Sequence, residues 1–201
     1  MLDETDVPAG MFRYPPADIS SDEFEAWVGE LLDSASAELQ DLRTTVHDKI
    51  VGTDGTFDLD ATVRFRWAGM DFLVVIEAKR HRHPIKRELV QVLHSKVQST
   101  GAHKGVLFST APFQRGALEF AKVHGIALIH ITEGRFTFET RAQESRPPLS
   151  REEAMKHFGL PVFAGHYYRP GDSAGSTRVT LVSSEHPDYV KDALLGLAEA
   201  P

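Results

Sequence analysis

The chain has 201 residues, of which 41% are hydrophobic and 25% charged, so it can bury one substantial core with a small addition. It contains no cysteine, which excludes disulfides, a thiolate zinc site and a cysteine nucleophile. The acidic start "MLDETDVPAG" is not a signal peptide, and no apolar run approaches the roughly 18 residues of a membrane helix. We therefore expect a cytoplasmic protein without a membrane segment.

Charge is distributed unevenly along the chain. The formal net charge of −7 argues against a nucleic-acid partner, because phosphate binding depends on Lys and Arg. Residues 79–104, however, hold seven basic side chains and a single acid, Glu88, which gives this segment a net charge of +6. Such segregation indicates a local surface for an anionic partner.

The first predicted helix follows a lead-in. Residues 1–19 carry three prolines and no periodic pattern, so we expect an extended or disordered segment. Ser20 and Glu23 have the spacing of a capping box, which predicts a helix start. Helical spacing then produces one apolar stripe, formed by Phe24, Trp27, Val28, Leu31, Leu32 and Ala35.

Strands and helices alternate after this helix. Residues 58–67 have the period of a strand, which predicts one apolar face formed by Leu59, Ala61, Val63, Phe65 and Trp67. Gly69 marks a hairpin turn before a second strand, and the elements that follow are a helix, a strand, a helix and a strand at 86–99, 104–109, 115–124 and 126–131. This order predicts an α/β domain over residues 20–143, with a mixed central sheet flanked by helices.

The C-terminal quarter has a weaker pattern. Residues 144–150, "ESRPPLS", have the composition of a linker. Residues 151–201 predict a small α+β appendage, with a helix at 151–158, a loop at 165–176, one strand in "TRVTLVSS" and a last helix from Pro187 that buries Val190, Leu194 and Leu197.

Charged residues end the most apolar strand. The run 72–76 is followed by Glu77 and Lys79, which project from the same face of a strand because they are two residues apart. The hairpin decides what lies opposite them. A turn at Gly69-Met70 would place Asp60 opposite Lys79, whereas a turn at Ala68-Gly69 would place Asp60 opposite Glu77.

Asp60 and Glu77 together are suited to a hard cation. Two neighbouring carboxylates repel each other, and Mg²⁺ bound by both of them and by a backbone carbonyl would relieve that repulsion. Lys79 would then orient or deprotonate an attacking water, as in phosphodiester hydrolysis. Asp58 lies further from the turn and is the weaker candidate. The alternative is a structural salt bridge between Glu77 and Lys79 at the strand end.

The succession of motifs resembles a known family over roughly residues 22–131. "FEAWVGELL" and "DLDATVRF" precede "IEAKR", which matches an E-x-K core, and "ELVQVL", "GAHKGVLFST" and "FQRGALEFA" follow it. The whole series is similar to the Mrr-like restriction endonucleases of the PD-(D/E)xK superfamily. The resemblance implies a restriction-endonuclease-like fold and a metal-dependent DNA endonuclease of restriction or defence systems, with Mg²⁺, or Mn²⁺ in its place, as cofactor.

The resemblance also implies roles for individual residues. Asp60 and Glu77 would hold the metal, the carbonyl of Ala78 would complete its protein ligands, and Lys79 would serve the attacking water. Glu25 on the first helix would reach the metal or its water shell, unless it is only the solvated flank of that helix. Gln91, on the helix after the motif, is either close to the site or an exposed helix residue.

Basic side chains begin immediately after the motif. Their position beside the expected metal predicts that they contact DNA phosphates, although a solvated basic loop is the alternative. They are Arg80, Arg82, Lys86 and Arg87.

Two other functions remain open from the sequence. One is a non-cleaving nucleic-acid-binding or accessory subunit of a defence complex, for which the acidic overall charge leaves room for a protein partner. The other is a protein-interaction module in which Glu77 and Lys79 form only a salt bridge. Cutting of both DNA strands would favour a homodimer or successive nicks, but no sequence feature decides this.

Overall fold

The computed structural model describes residues 12–13, 16–134, 137–138, 150–159, 161–170 and 176–196. Most of the predicted lead-in and linker lies outside these residues. The helices are α1 (Ser21–Ser34), α2 (Arg87–Thr100), α3 (Arg115–His124), α4 (Arg151–Phe158) and α5 (Pro187–Leu195), and a 3-10 turn at Ala35–Ala37 follows α1. The strands are β1 (Phe12–Arg13), β2 (Gln40–Val51), β3 (Thr56–Trp67), β4 (Met70–Lys79), β5 (Lys104–Ser109), β6 (Ala127–Glu133), β7 (Thr137–Phe138), β8 (Phe163–Pro170) and β9 (Thr177–Val182).

Seven strands form one mixed sheet in the order β2-β3-β4-β5-β6-β8-β9, while β1 and β7 form a separate antiparallel pair. The pairs β4–β5 and β5–β6 are parallel, and α2 and α3 make their crossovers. The other neighbours in this sheet are antiparallel. The predicted α/β class and mixed sheet are therefore confirmed. No helix in the described part of the chain is long and apolar enough to cross a membrane.

Helices cover both faces of the sheet, so the central strands are buried on both sides. One core cluster joins α1 and α5 to residues such as Val74, Ile76 and Ile129, while the other joins α2 and α3 to Val75 and Leu107. The capping box at Ser20 forms as predicted, with the Ser20 hydroxyl accepting from the Glu23 backbone and the Glu23 carboxylate accepting from the Ser20 backbone. The fold therefore fixes β4 rigidly up to its last residues.

The hairpin between β3 and β4 takes one of the two expected registers. Trp67 pairs with Met70, so Ala68 and Gly69 form the two-residue turn. Their φ angles of 51° and 79° are those of a type I′ turn, which matches the twist of the strands it joins. This is the register in which Asp60 faces Glu77.

The predicted alternation in β3 is wrong at its N-terminal end. Ala61, Val63 and Phe65 pack in the cluster with α1, but Leu59 packs in the opposite cluster, with α2 and α3. The described pairing of β3 with β4 also stops at Ala61. The alternation of faces is therefore interrupted at Asp60, and a strict period of two could not anticipate this interruption.

Two strands of the seven-stranded sheet lie where the sequence predicted none. The edge strand β2 has mostly exposed side chains and positive φ angles at Asp41 and His47, so it lacks a strand-like apolar pattern. The other, β8, overlaps the predicted loop at 165–176 and lies between β6 and β9. A side chain at Gly165 would lie 2.6 Å from Val182 and 2.7 Å from Ile129, so the glycine allows a close packing contact here.

Residues 151–201, predicted as a small α+β appendage, contribute α4, β8, β9 and α5 to the fold. Both strands extend the central sheet through the pairing of β8 with β6. The final helix begins at Pro187 as predicted, and its buried Val190 and Leu194 belong to the same cluster as α1. The predicted contribution of Leu197 lies outside the described residues.

Candidate active site at the end of β4

Asp60 is fixed to the end of β4 by two contacts. Its Oδ2 accepts a hydrogen bond from the backbone N–H of Ala78 at 2.7 Å and one from Lys79 Nζ at 3.1 Å. The carboxylate lies beside β4 just beyond Ala61, where the regular pairing of the two strands has ended. The Asp60 side chain thus links β3 to β4 at a point where the backbones of the two strands are no longer paired.

Glu77 is the buried member of the site, with 7% of its side chain exposed. Its Oε2 lies 2.8 Å from Lys79 Nζ, and its Oε1 contacts Lys96 Nζ from α2. Because Lys79 also contacts Asp60, one ammonium bridges the two carboxylates. Asp60, Glu77 and Lys79 therefore converge as the sequence predicted, although their contacts alone also describe a salt-bridge network.

Lys79 carries its charge in this arrangement. Burial lowers the pKa of the ammonium, but hydrogen bonding and charge interaction with Glu77 and Asp60 outweigh burial and raise the pKa above its ordinary value. Lys79 consequently acts as a hydrogen-bond donor to both carboxylates. Its role as a proton acceptor would require that these contacts first be broken.

Thr110 at the end of β5 holds the backbone that follows the motif. Its N–H donates to the carbonyl of Lys79 at 3.2 Å. Its hydroxyl accepts from the N–H of His81 at 3.0 Å and is 3.1 Å from the His81 carbonyl, to which it donates. The chain is thus held in place for two residues beyond β4.

Asp58, the rival carboxylate, lies elsewhere. Its side chain is 82% exposed and pairs with Lys49 at 3.2 Å. The structure therefore brings Asp60, and not Asp58, to Glu77 and Lys79.

Two other predicted site residues stand apart from this cluster. Glu25 Oε2 lies 3.7 Å from His47 Nε2, and both side chains are largely solvent-exposed. Gln91 lies on the exposed side of α2. Five residues separate it from Lys96, which places it about 140° around the helix from the residue that does reach Glu77. Within the described structure, neither Glu25 nor Gln91 contacts Asp60, Glu77 or Lys79.

The four basic residues after the motif divide into two pairs. Arg80 Nε donates to the carbonyl of Ile19 at 2.7 Å, and the Arg87 guanidinium lies 5.1 Å from the centre of the Phe120 ring. Both residues are exposed, yet each side chain contacts another part of the fold. Arg82 and Lys86 are exposed and form no ion pair within the described residues.

Lys96 is the site residue that sequence reasoning missed. It was counted only as one charge in the basic segment, yet its side chain is 18% exposed and contacts Glu77 directly. A signal was present, because Lys96 lies seven residues after the half-buried Leu89 and three after the buried Leu93, in a helical row that faces the sheet. A lysine in such a row needs a buried partner.

The donor chemistry of the site fits a hard divalent ion. Asp60 and Glu77 offer carboxylate oxygens that already surround a cation, the Lys79 ammonium. No group of three His, Asp or Glu side chains suited to a metal is found among the described residues. A backbone oxygen and water would therefore have to complete the ligands, and the peptide of Ala78 is fixed beside Asp60.

Comparisons with known proteins complete this picture. A search of curated proteins gives no match. A solved structure titled "Crystal Structure of Protein of Unknown Function AF1548" is similar over 52% of this chain and 56% of its own chain, with 17% sequence identity and a TM-score of 0.41. That likeness carries no argument about function.

A family model, in contrast, covers most of the α/β part of the chain. The Mrr_cat model, described as "Restriction endonuclease", matches residues 17–133, which span α1 to β6. The matched range includes Asp60, Glu77, Lys79 and Lys96. The match extends over more than half of the chain and confirms the predicted resemblance. The chain therefore belongs to the Mrr_cat restriction endonuclease family.

Proposed function

We propose that this protein is a metal-dependent DNA endonuclease of a restriction or defence system. The observation that supports this most is the convergence of Asp60, Glu77 and Lys79 on one point at the end of a rigid, doubly buried strand. Family membership supports a nuclease of the restriction type in general terms. The metal, the DNA substrate and the roles of the residues belong to the proposal.

In this proposal Asp60 and Glu77 hold Mg²⁺, together with the backbone oxygen of Ala78. The bound ion supplies Lewis-acid activation of the scissile phosphate and of water. Glu77 is held in place by burial and by two lysines, while Asp60 is held by the Ala78 N–H. Both carboxylates are therefore preorganised, and little free energy is needed to order them.

Lys79 has a second task in the same proposal. Asp60 and Glu77 would hold the ion through carboxylates that now contact Lys79. The ammonium would then be released from the contacts that raise its pKa, and it would orient the attacking water or accept a proton from it. In this proposal, Lys79 reaches the reacting phosphate only when Asp60 and Glu77 hold the metal ion.

DNA would enter from the side of the loop after β4. Arg82 and Lys86 are exposed and lie within nine residues of Glu77 in a segment that Thr110 fixes to the sheet. Their charges suit phosphate contacts that position the duplex without reading its sequence. Arg80 and Arg87 would act mainly by holding that surface in shape.

The test compares cleavage of plasmid DNA by two matched variants, both on strand β3 of the protein. Asp60→Asn preserves an acceptor for the Ala78 N–H but removes the charge, and it should reduce the Mg²⁺- or Mn²⁺-dependent rate by about 10³-fold. Asp58→Asn, two residues away and exposed, should leave the rate unchanged. Equal cleavage by both variants would reject the site.

The same preparation separates the two rival functions. DNA binding by the wild type without cutting of DNA or RNA in any divalent ion would assign the chain to the non-cleaving accessory class. Calorimetry that detects neither Mn²⁺ nor DNA binding would instead leave only the interaction module.

A further inference from the structure

We propose that Lys96 is a fixed countercharge to Glu77 that keeps divalent ions weakly bound until nucleic-acid phosphate arrives, an inference that rests on the proposed function. The contact that motivates it joins two elements that are distant in the sequence. Lys96 comes from α2, on the side of the sheet opposite α1, and its ammonium contacts Glu77 Oε1.

The two lysines occupy different oxygens of Glu77. Lys79 contacts Oε2 and also reaches Asp60, so it lies between the carboxylates. Lys96 contacts Oε1, on the other side of Glu77. An ion that binds between Asp60 and Glu77 competes with Lys79 for its oxygens but leaves the contact of Lys96 intact.

Lys96 is also less free to move away than a surface lysine. The neighbouring Val97 is buried in the cluster between α2 and the sheet. Two residues further on, the Ser99 hydroxyl contacts Asp54 and lies 3.4 Å from the Thr53 hydroxyl, both in the loop between β2 and β3. This half of α2 is therefore fastened to the sheet and to the hairpin, and the ammonium stays beside Glu77.

The charges of the four side chains sum to zero, since Asp60 and Glu77 are matched by Lys79 and Lys96. A divalent ion added to the free protein would give the cluster a net charge of +2. The positive charge of Lys96 would remain beside Glu77 and repel the ion. Phosphate groups of a bound duplex supply negative charge at the same point. Binding of the ion and binding of the duplex should therefore strengthen each other.

The main test measures Mn²⁺ binding to the metal-free full-length chain by calorimetry. Lys96→Gln removes the charge but keeps a hydrogen-bond donor for Glu77, and it should tighten Mn²⁺ binding by about tenfold, since a unit charge within a few ångström is removed. Lys96→Arg keeps the charge and should bind Mn²⁺ as the wild type does. Lys122→Gln, at an exposed position of α3, is the matched control and should also be unchanged.

A second measurement follows from reciprocity. The affinity of the wild type for a fluorescent DNA duplex, measured by anisotropy, should be higher in Ca²⁺ than in EDTA, and equal affinities would contradict the coupling. Circular dichroism melting shows whether each variant is folded.

The outcomes distinguish this inference from the proposed function. Tighter Mn²⁺ binding by Lys96→Gln alone supports the countercharge. Equal or weaker Mn²⁺ binding by folded Lys96→Gln, with binding still detected, overturns the role of Lys96 and leaves the nuclease proposal standing. Absence of Mn²⁺ binding from the wild type and every variant, with or without duplex, overturns both.

Discussion

The ends of β4 and β6 bury titratable side chains in the same row of the sheet but in opposite ways. Lys79 pairs with Ser109, Ser109 with His130, and His130 with His166 on β8. At the β4 end, opposite charges meet within hydrogen-bonding distance. At the β6 end, burial lowers the pKa of His130 and of His166 to about 4, so both rings are neutral at neutral pH.

Under the proposed function, this difference separates a chemical site from a structural one. Charges kept in a partly buried place need compensation by other charges, and such clusters are frequent where catalysis occurs. The histidines avoid that cost by staying neutral, and His166 Nε2 lies 2.8 Å from the Thr132 hydroxyl while the two imidazole centres are 6.1 Å apart. We therefore expect variants at β4 to change activity and variants at β6 to change stability.

The largest expected effect concerns Lys79. Lys79→Ala should lower the rate of DNA cleavage by about 10³-fold, because it removes the group that contacts both carboxylates. His166→Gln, in the same row of the sheet, should lower the rate less than about threefold. The difference between these two variants tests the contrast between the two regions most sharply. Plasmid cleavage under identical Mg²⁺ conditions measures both, and a His166→Gln defect as large as that of Lys79→Ala would break the distinction.

The second prediction concerns pH and the histidines. Their pKa values are about 4 when folded and near the ordinary histidine value of 6.5 when unfolded, so the unfolded chain binds more protons between these limits. Their contribution to stability is complete above pH 6.5 and is lost as the pH falls toward 4, at a cost of about 2 kcal/mol per histidine by pH 5.

Urea unfolding near neutral pH and at pH 5 measures this effect. The double variant His130→Gln/His166→Gln should show a much flatter dependence than the wild type, whereas His83→Gln, at an exposed position, should not alter it. A wild-type free energy of unfolding that is constant over this range would contradict the assignment of neutral buried rings.

The third prediction compares the two carboxylates of the β4 cluster. Glu77→Gln should reduce the free energy of unfolding by about 2 kcal/mol, because it leaves two lysines beside an uncharged group in a partly buried place. Asp60→Asn should lose less than about 1 kcal/mol, since the amide oxygen can still accept from Ala78. Chemical denaturation decides, and an equal loss for both variants would show that burial does not distinguish them.

The smallest expected effect concerns the exposed basic residues. Arg82→Ala and Lys86→Ala should each weaken duplex binding several-fold and reduce the slope of log affinity against log salt by about 1. Lys122→Ala on α3 is the control and should leave the slope unchanged. Fluorescence anisotropy across a salt series measures this, and an unchanged slope in both loop variants would move the DNA surface elsewhere.

Elements with a strong local pattern were predictable from the sequence. The capping box at Ser20, the helix after the motif and the parallel strands β5 and β6 all occur close to their expected bounds. Each has an apolar period or a cap that acts within a few residues. The opposition of Asp60 and Glu77 was one of two registers, and the turn at Ala68-Gly69 decided between them.

The remaining features depend on contacts between distant segments. Strand β2 is defined by pairing with β3, β8 by its place between β6 and β9, and the interrupted alternation at Asp60 by the packing of Leu59 in the cluster with α2 and α3. The contact of Lys96 with Glu77 spans a crossover helix and a sheet face. The helical row of Lys96 indicated that its side chain faces the sheet but not which residue it meets, and the other features have no local residue pattern, because tertiary packing determines them.

The most direct test of the site is a crystal of the protein soaked in Mn²⁺, with data collected to show its anomalous scattering. The account predicts one strong peak between the carboxylates of Asp60 and Glu77, with Lys79 displaced from at least one of them, and no peak in Asp60→Asn. A crystal at saturating Mn²⁺ that retains the Lys79 bridge and shows no peak at these carboxylates would contradict it.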